Sequence, residues 1–194
     1  MDESPTTGGR GARGRILAAA TRLFHEQGIN ATGMAELCAA AHVSTRTMYK
    51  HFASKDDLVS VYLRRFDDER MLGREQALHR TELPAVERLR AVFGRPQDQS
   101  VRGCPFHNAA VELADEQHPA RAVVAAHKAA FLALLTETAA EAGAANPTVL
   151  GQQLAVVFEG ATALGTSLGN LDPIDHARSI ADLLIAGAID QPAG

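Results

Sequence analysis

A short polar helix at residues 44–52 constrains the fold of this chain more than any other stretch. Ser44 stands at a favourable N-cap position, from which its hydroxyl can accept a hydrogen bond from the first helical turn. Val43 and Met48 occupy the two positions of a hydrophobic staple, which fixes the angle at which the chain enters the helix. The helix carries hydroxyls, cations and an imidazole but no acidic side chain. This composition is typical of a helix that lies against phosphates and base edges.

The preceding residues predict a second short helix that a tight turn joins to the first. Thr32 can cap a helix in which Met34, Leu37 and Cys38 share one buried side. Residues 39–42 then lead directly into the polar helix. Helix, short turn and capped polar helix are the sequence form of a helix-turn-helix, whose second helix enters the major groove of DNA.

A set of residues spread over the first four predicted helices matches the pattern of a known family. Because of these residues, positions 13–66 resemble the DNA-binding domain of the tetracycline-repressor (TetR) family of transcriptional regulators. The resemblance implies a homodimer that binds double-stranded DNA through this domain and a small-molecule effector through the rest of the chain. The residues that carry it are Ile16, Ala19, Leu23, Phe24, Gly28, Thr32, Met34, Glu36, Leu37, Ala41, Val43, Ser44, Thr47, Tyr49, His51, Phe52, Ser54, Lys55 and Leu58.

Three residues depart from the pattern of that family. Gly33 stands where Ser or Thr is frequent, which removes a possible phosphate-binding hydroxyl. His42 replaces a frequent Gly in the turn, and His is among the residues that tolerate positive φ. Arg46 stands where a small residue is common, so we expect it to contact a base or phosphate that relatives do not contact.

Charge is divided unevenly along the chain. The formal net charge is −4. Residues 10–55 nevertheless contain seven Lys and Arg against two Asp and Glu, whereas residues from 56 onward contain twelve against nineteen. A basic N-terminal domain on an acidic remainder favours nucleic acid as the partner of the basic end.

Composition favours an all-α fold in a reducing compartment. Ala is abundant, and no segment shows the alternation of a strand. No apolar run is long enough to cross a bilayer, and residues 1–10 lack the apolar core of a signal peptide. Cys38 and Cys104 fall in different predicted domains, so we expect no disulfide. We therefore expect a cytoplasmic protein with no membrane partner.

The chain is expected to form about nine helices in three regions. Residues 1–9 are rich in Ser, Thr, Gly and Pro and predict a disordered tail. Residues 10–53 predict the helix-turn-helix DNA-binding domain, and residues 54–194 a helical ligand-binding and dimerisation domain. Prolines mark the starts or breaks of five helices in the last region, near 84–93, 105–116, 119–142, 147–168 and 173–189.

The helix-turn-helix predicts the DNA contacts. Arg46 is the best candidate for a bidentate contact with guanine, and residues near the helix end should hold phosphates. The arginines at 10, 13 and 15 can either touch phosphates or solubilise a tail. A dimer would bind a pseudo-palindrome with half-sites roughly 34–36 Å apart. The predicted contact residues are Thr32, Ser44, Thr45, Arg46, Thr47, Tyr49, Lys50, His51 and Lys55.

Two helices near the C-terminus carry stripes that favour dimerisation. Their apolar and small residues recur at spacings of four and three, as in helix–helix packing. Doubling this helix pair about a two-fold axis gives a four-helix bundle, which the resemblance implies as the dimer interface. The alternative is that the stripes face the core of their own protomer. The predicted interface residues are Leu150, Leu154, Val157, Ala161, Leu164, Leu168, Ala177, Ala181, Leu184 and Ala188.

Polar and aromatic residues on apolar helices predict an effector pocket. Each of them also has an ordinary interpretation as a packed core residue. Cys104 and His107 have the spacing of half a zinc site, but no second pair accompanies them, so we expect no metal and no cofactor other than the effector. The candidate pocket residues are Cys104, Phe106, His107, His127, Phe131, Phe158 and Thr162.

Two other functions were weighed against a DNA-binding regulator. The sequence contains no nucleophile elbow, P-loop or paired-cysteine metal motif, which argues against an enzyme. A protein-interaction scaffold that uses the helix-turn-helix only for packing would not need a basic, acid-free helix. We therefore expect a repressor released from its operator by a small molecule, with an activator as the alternative.

Overall fold

The fold is all-α. A computed structural model describes residues 11–68, 73–96 and 101–189, and within these ranges the chain forms ten helices and no strand. The predicted fold class is therefore confirmed, and the five proline-marked helices lie where the sequence predicted them within a few residues. The predicted tail at 1–9 and Arg10 lie outside the described residues. The helices are α1 Ala12–Gln27, α2 Met34–Ala40, α3 Thr45–His51, α4 Lys55–Asp68, α5 Gly73–Leu78, α6 Ala85–Ala91, α7 Pro105–Glu112, α8 Pro119–Glu141, α9 Pro147–Leu168 and α10 Asp172–Ile189.

The chain divides into two compact units. The first unit contains residues up to 65 together with residues 105–124, and the second contains residues 66–104 and those from 125 onward. The predicted domain limits, drawn at residues 53 and 54, follow the order of the sequence and stay a prediction. The units differ from them because most of α4, together with α7 and the start of α8, groups with the N-terminal helices.

Side-chain caps explain where α3 and α4 begin. Ser44 has an extended backbone, and its hydroxyl accepts from the backbone N–H of Thr47 at 3.1 Å, as the sequence predicted. At the start of α4, Ser54 Oγ accepts from the N–H of Asp57 at 3.0 Å. The Asp57 carboxylate in turn accepts from the N–H of Ala53 at 3.2 Å. These reciprocal bonds form a capping box, which fixes the short interval between the two helices.

The predicted cap of α2 is wrong. Gly33, not Thr32, is the N-cap residue, and it offers no side-chain hydrogen bond. The buried Thr32 hydroxyl instead donates to the backbone carbonyl of Gly28 at 2.7 Å. Thr32 therefore stabilises the loop that follows α1, because its hydroxyl bonds to a carbonyl four residues earlier and not to an N–H of α2.

The turn between α2 and α3 contains a positive φ at His42, where φ is 52°. The His42 N–H donates to the Ala39 carbonyl at 3.1 Å, and the Val43 N–H donates to the Cys38 carbonyl at 3.0 Å. This pair of bonds is a Schellman motif, which commonly places Gly at the position that His42 occupies. The expectation that His42 adopts a positive φ is confirmed.

An aromatic contact joins α1 to α4 in the first unit. The rings of Phe24 and Tyr62 meet edge to face, with centroids 5.3 Å apart, and both side chains are buried. Leu58, one turn before Tyr62, is fully buried as well. Helix α1 also contacts α2 and α3, so its buried apolar residues support the helix-turn-helix.

In the second unit, α9 and α10 pack along each other over an apolar core. The aromatic rings of Phe93, Phe131 and Phe158 meet edge to face inside this core. Helix α9 approaches α8 closely at Gly151, where a Cβ would lie 2.6 Å from Thr136 Oγ1. Small residues at such points allow the helices to come together.

Helix α8 has a property that the sequence analysis did not expect. By length and composition alone it is long and apolar enough to cross a membrane. The same helix carries charged residues such as Lys128 and Glu137, and its Phe131 and Leu135 are buried in the core of the second unit. Part of α8 therefore belongs to the core of the second unit.

Replacing His42 by Gly should raise the free energy of unfolding by up to about 1 kcal/mol, because Gly avoids the steric cost of the left-handed backbone. The greater freedom of Gly in the unfolded chain offsets part of this gain. Chemical denaturation measures the difference. As a control, Ala39→Gly inside α2 should lower the free energy of unfolding by about 0.5–1 kcal/mol. A loss of stability in His42→Gly would show that the imidazole makes contacts that outweigh the backbone strain.

Candidate functional site

Helix α3 presents a polar face to solvent. Its single buried side chain is Met48, which anchors the helix in the first unit as the hydrophobic staple predicted. Arg46 and Lys50 are exposed, and so is half of Tyr49. Of the other predicted DNA contacts, Ser44 and Thr45 are exposed, while Thr47, His51 and Lys55 are half-buried.

Thr32 does not join this face. Its side chain is fully buried, and its hydroxyl is engaged by the Gly28 carbonyl. In this conformation the side chain has no path to a phosphate. The departure at Gly33 is therefore not compensated by Thr32, because neither residue presents a hydroxyl at the start of α2.

The charge on α3 is entirely positive. No acidic residue stands in its first turn, and Lys50 and His51 stand in its last turn, where cations interact favourably with the helix dipole. Among the residues that the structure describes, no carboxylate pairs with Arg46 or Lys50. These two side chains therefore keep their donors available to an external anion.

A buried polar cluster, which we call the Arg74 cluster, lies in the second unit and comprises Asp67, Arg74, Glu75, Cys104 and His127. The Arg74 side chain is only 7% exposed. Its Nη2 donates to Cys104 Sγ at 3.2 Å and lies 3.1 Å from His127 Nε2. The Glu75 carboxylate is 3.6 Å from the same guanidinium nitrogen. A buried cation is thus surrounded by one carboxylate and two softer or neutral acceptors.

His127 lies between polar partners on both sides of its ring. Its Nε2 is 3.1 Å from Arg74 Nη2 and 3.4 Å from Glu75 Oε1. Its Nδ1 forms a hydrogen bond with Asp67 Oδ1 at 2.6 Å. Burial raises the pKa of Glu75 above its ordinary value, and the nearby positive charge of Arg74 opposes this shift.

Aromatic rings enclose the guanidinium of Arg74. Its central carbon lies 5.1 Å from the ring centroid of Phe131 and 5.2 Å from that of Phe158. Beside them, Lys128 pairs with Glu159 at 2.5 Å and lies 3.7 Å from Cys104 Sγ. The cluster therefore combines an apolar wall with several charged groups.

Four of the seven predicted pocket residues meet around Arg74, namely Cys104, His127, Phe131 and Phe158. Thr162 is half-buried on α9, and its hydroxyl donates to the Glu159 carbonyl at 3.0 Å. Phe106 and His107 belong to the first unit.

Sequence reasoning missed Arg74 and Asp67. Arg74 stands in a short polar helix with no apolar periodicity, so nothing in the sequence marked it as buried. Asp67 stands in an acidic stretch at the end of α4, and its carboxylate forms a hydrogen bond with His127. Both residues are more than 50 positions from His127, and only the fold brings them to it.

The Arg74 cluster does not fit a metal ion. Asp67, Glu75 and His127 offer ligand atoms within 4.8 Å of one another. The Arg74 guanidinium, however, already lies 3.1 Å from the His127 nitrogen that a metal would need. Its positive charge opposes a second cation at the same place.

The predicted dimer stripe divides into two parts. Leu150, Leu154, Ala161, Ala177 and Ala181 are buried in the core of the second unit. Their side chains pack inside their own protomer, which is the arrangement that the alternative interpretation expects. The other members are Val157, Leu184 and Ala188, which are partly buried against that core, and Leu164 and Leu168, which are exposed.

An exposed apolar surface lies on the neighbouring positions of α9 and α10, and we call it the α9–α10 face. Val156 on α9 is 73% exposed and Leu183 on α10 is 75% exposed. An apolar groove of about 410 Å³ runs between the two helices. Sequence periodicity predicted Leu164 and Leu168 of this face and missed the other four residues, because it locates a stripe without telling which side it faces. The face consists of Val156, Gly160, Leu164, Leu168, Ile180 and Leu183.

Glu75 should make stability depend on pH. Because its pKa is raised in the folded state, that state holds the proton more tightly than the unfolded state does. The free energy of unfolding should therefore fall as the pH rises from the ordinary value of 4.5 through the raised pKa, and Glu75→Gln should lack this fall. Urea denaturation across this range measures it. The exposed Glu82 is the control, because a hydrogen bond from Arg80 lowers its pKa. Its contribution to the free energy of unfolding should therefore rise with pH, opposite to that of Glu75. Equal pH profiles for the unaltered protein and Glu75→Gln would contradict the assignment.

Two family models match the chain. Residues 16–61 match the family described as bacterial regulatory proteins, tetR family, and residues 85–181 match the tetracyclin repressor-like C-terminal domain. Two curated relatives match over less than half of the chain. The transcriptional activator FasR of Mycolicibacterium smegmatis is 42% identical over 79 residues, which are 41% of this chain and 36% of that protein. The transcriptional repressor KstR2 of Mycobacterium tuberculosis is 33% identical over 81 residues, 42% of this chain and 40% of that protein.

A solved structure extends the likeness to nearly the whole chain. A TetR-family transcriptional regulator from Streptomyces coelicolor is 30% identical, with a TM-score of 0.82, over 93% of this chain and 97% of that one. The matches to the two curated relatives span less than half of their lengths. The two family models cover both the helix-turn-helix and the helical remainder. The chain therefore belongs to the tetR family of bacterial regulatory proteins, whose members are DNA-binding transcriptional regulators.

Proposed function

We propose that this protein is a cytoplasmic, homodimeric transcriptional repressor that leaves a pseudo-palindromic operator when a small molecule binds its second unit. The observation that carries the proposal is the face of α3, which is exposed, positively charged and free of acidic residues. Its curated relatives are transcriptional regulators, and no catalytic role is proposed.

The proposed DNA contacts divide by position along α3. Arg46, in the first turn, is exposed and reads guanine through the two parallel donors of its guanidinium. Ser44 shares its hydroxyl with Thr47, so it reaches DNA mainly through the helix start that it caps. Lys50 binds a phosphate, which positions the protein along the DNA without distinguishing one base sequence from another. Thr45, Tyr49, His51 and Lys55 complete the proposed contacts.

The proposed effector site is the Arg74 cluster with its aromatic walls, Phe131 and Phe158. Cys104 of this cluster directly precedes α7, whose residues belong to the first unit. Within the first unit, Asn30 makes two hydrogen bonds to Glu112 at the end of α7, each 2.8 Å long. A shift of Cys104 is therefore transmitted along α7 to the loop between α1 and α2.

A second connection supports the same coupling. His118 Nε2, just before α8, lies 3.2 Å from Asp56 in the first turn of α4. Residues 105–124 thus hold the DNA-binding helices at two separate points. To reverse operator occupancy from about 1:99 to 99:1, an effector must prefer the released state by roughly 5.5 kcal/mol.

Activation is the second candidate function. The relatives of this chain include an activator and a repressor, and each is similar to it over less than half of its length. Activation and repression can use the same DNA contacts, because the position of the operator relative to the promoter decides whether transcription is increased or decreased. Repression remains the proposal because it needs no contact with a further protein.

Fluorescence anisotropy with DNA from upstream of the protein's own gene, and scrambled DNA as reference, tests the DNA-binding proposal. Arg46→Ala should weaken binding to the operator by about 1–3 kcal/mol and relax the preference at one base position. Lys50→Ala is the matched control on the same helix, and it should weaken binding to both DNAs alike. Equal loss on both DNAs for Arg46→Ala would make Arg46 a phosphate contact. Weak, equal binding of the unaltered protein to every fragment of a genomic library would contradict sequence-specific recognition.

Dimerisation is proposed through the α9–α10 face, because contiguous apolar surface of this kind is uncommon on monomers. Leu183→Glu should convert the dimer to monomer at micromolar concentration in analytical ultracentrifugation, since it places a charge in the interface. Val111→Glu is the matched control, because Val111 is 70% exposed but lies on α7. A dimer that survives Leu183→Glu would place the interface elsewhere.

A further inference from the structure

We infer that Arg13 and Arg15 form a second DNA contact, in which two fixed guanidinium groups bind phosphates beside the recognition helix α3. The sequence left open whether these arginines contact DNA or only solubilise a tail. The inference rests on the proposed DNA-binding function and assigns it residues outside the helix-turn-helix itself. Both residues stand in the first turn of α1, and both are exposed.

Arg13 is held at the end of α3. Its guanidinium carbon lies 5.3 Å from the ring centroid of Phe52, the residue that follows the last helical position of α3. The Phe52 ring is itself buried and therefore rigid. A guanidinium that rests its face on a ring keeps the donors along its edge available, so stacking and phosphate binding are compatible.

Arg15 is held at the start of the recognition helix. Its Nε donates to the backbone carbonyl of Ala41 at 3.0 Å, and Ala41 lies in the turn that leads into α3. This bond uses one of five guanidinium donors and leaves the terminal amino groups for another acceptor. Arg13 and Arg15 therefore bracket α3, one near its start and one near its end.

The charge around this pair favours an anion. The first turn of α1 contains no acidic residue, and among the described residues no carboxylate forms an ion pair with Arg13 or Arg15. By contrast Arg22, two turns further along the same helix, pairs with Glu26 at 3.2 Å. A solubilising tail would not need arginines that are fixed against the helix-turn-helix. Because their contacts already restrict the two side chains, they lose less conformational freedom when they bind phosphate.

The salt dependence of DNA binding tests this inference. The logarithm of the binding constant is plotted against the logarithm of salt concentration for the unaltered protein, Arg13→Ala and Arg15→Ala. Each phosphate contact contributes about 0.9 to the slope, so each substitution should reduce it by about 1.8 per dimer. The reduction should be the same on operator and scrambled DNA, because phosphates carry no sequence. Arg13→Lys and Arg15→Lys keep the charge and should restore the slope.

Arg22→Ala is the matched control from the same helix and should leave the slope unchanged. Thermal unfolding of every variant separates lost contacts from lost fold, and Arg13→Ala leaves the backbone hydrogen bonds of the first unit in place. Unchanged slopes in Arg13→Ala and Arg15→Ala, while the unaltered protein still selects its operator, would overturn this inference and leave the proposed function standing. An equal reduction in Arg22→Ala would also overturn it, because general charge would then explain the effect. Failure of the unaltered protein to bind DNA would reject both.

Discussion

The left-handed turn at His42 is the constraint on which the DNA-binding surface depends. It reverses the chain between α2 and α3, and its two backbone hydrogen bonds leave little freedom in the angle between these helices. Met48 then anchors α3 in the core, so the polar side of the helix must face outward. Arg15 adds a hydrogen bond to the same turn from α1. A different angle at this turn would separate Arg46 and Lys50 from the surface that they share, without any change in the residues themselves.

The second unit is organised around a different constraint, the burial of one cation. The neighbours of the Arg74 guanidinium are a thiol, an imidazole and a carboxyl group whose pKa burial raises. This set compensates a full positive charge less well than an ionised carboxylate at hydrogen-bond distance would. Such a balance is easily altered by a ligand or a shift of one helix. It therefore suits a region whose conformation must change between two states.

The sequence predicted the features that depend on neighbouring residues and failed where distant residues meet. The cap at Ser44 and the proline-marked helices follow from local chemistry, and they are confirmed. Thr32 has the same chemistry as a cap, but its hydroxyl found a closer acceptor behind it. Periodicity cannot tell the core of one protomer from the surface between two, and Leu150 and Leu154 of the predicted interface pack in the core of the second unit. Arg74 left no local signal, because its partners Cys104 and His127 lie 30 and 53 positions further along the chain.

The grouping of residues 105–124 with the N-terminal helices has a consequence for how such proteins recombine. The hydrogen bonds from Asn30 to Glu112, and the contact between Asp56 and His118, are made within one compact unit but by segments half a chain apart. A chimera that exchanges only the first 54 residues would carry Asn30 into a new protein without its acceptor. DNA specificity is thus portable between relatives only when the recipient supplies matching residues at the end of α7 and the start of α8. Part of what distinguishes one operator-binding module from another is therefore encoded outside it.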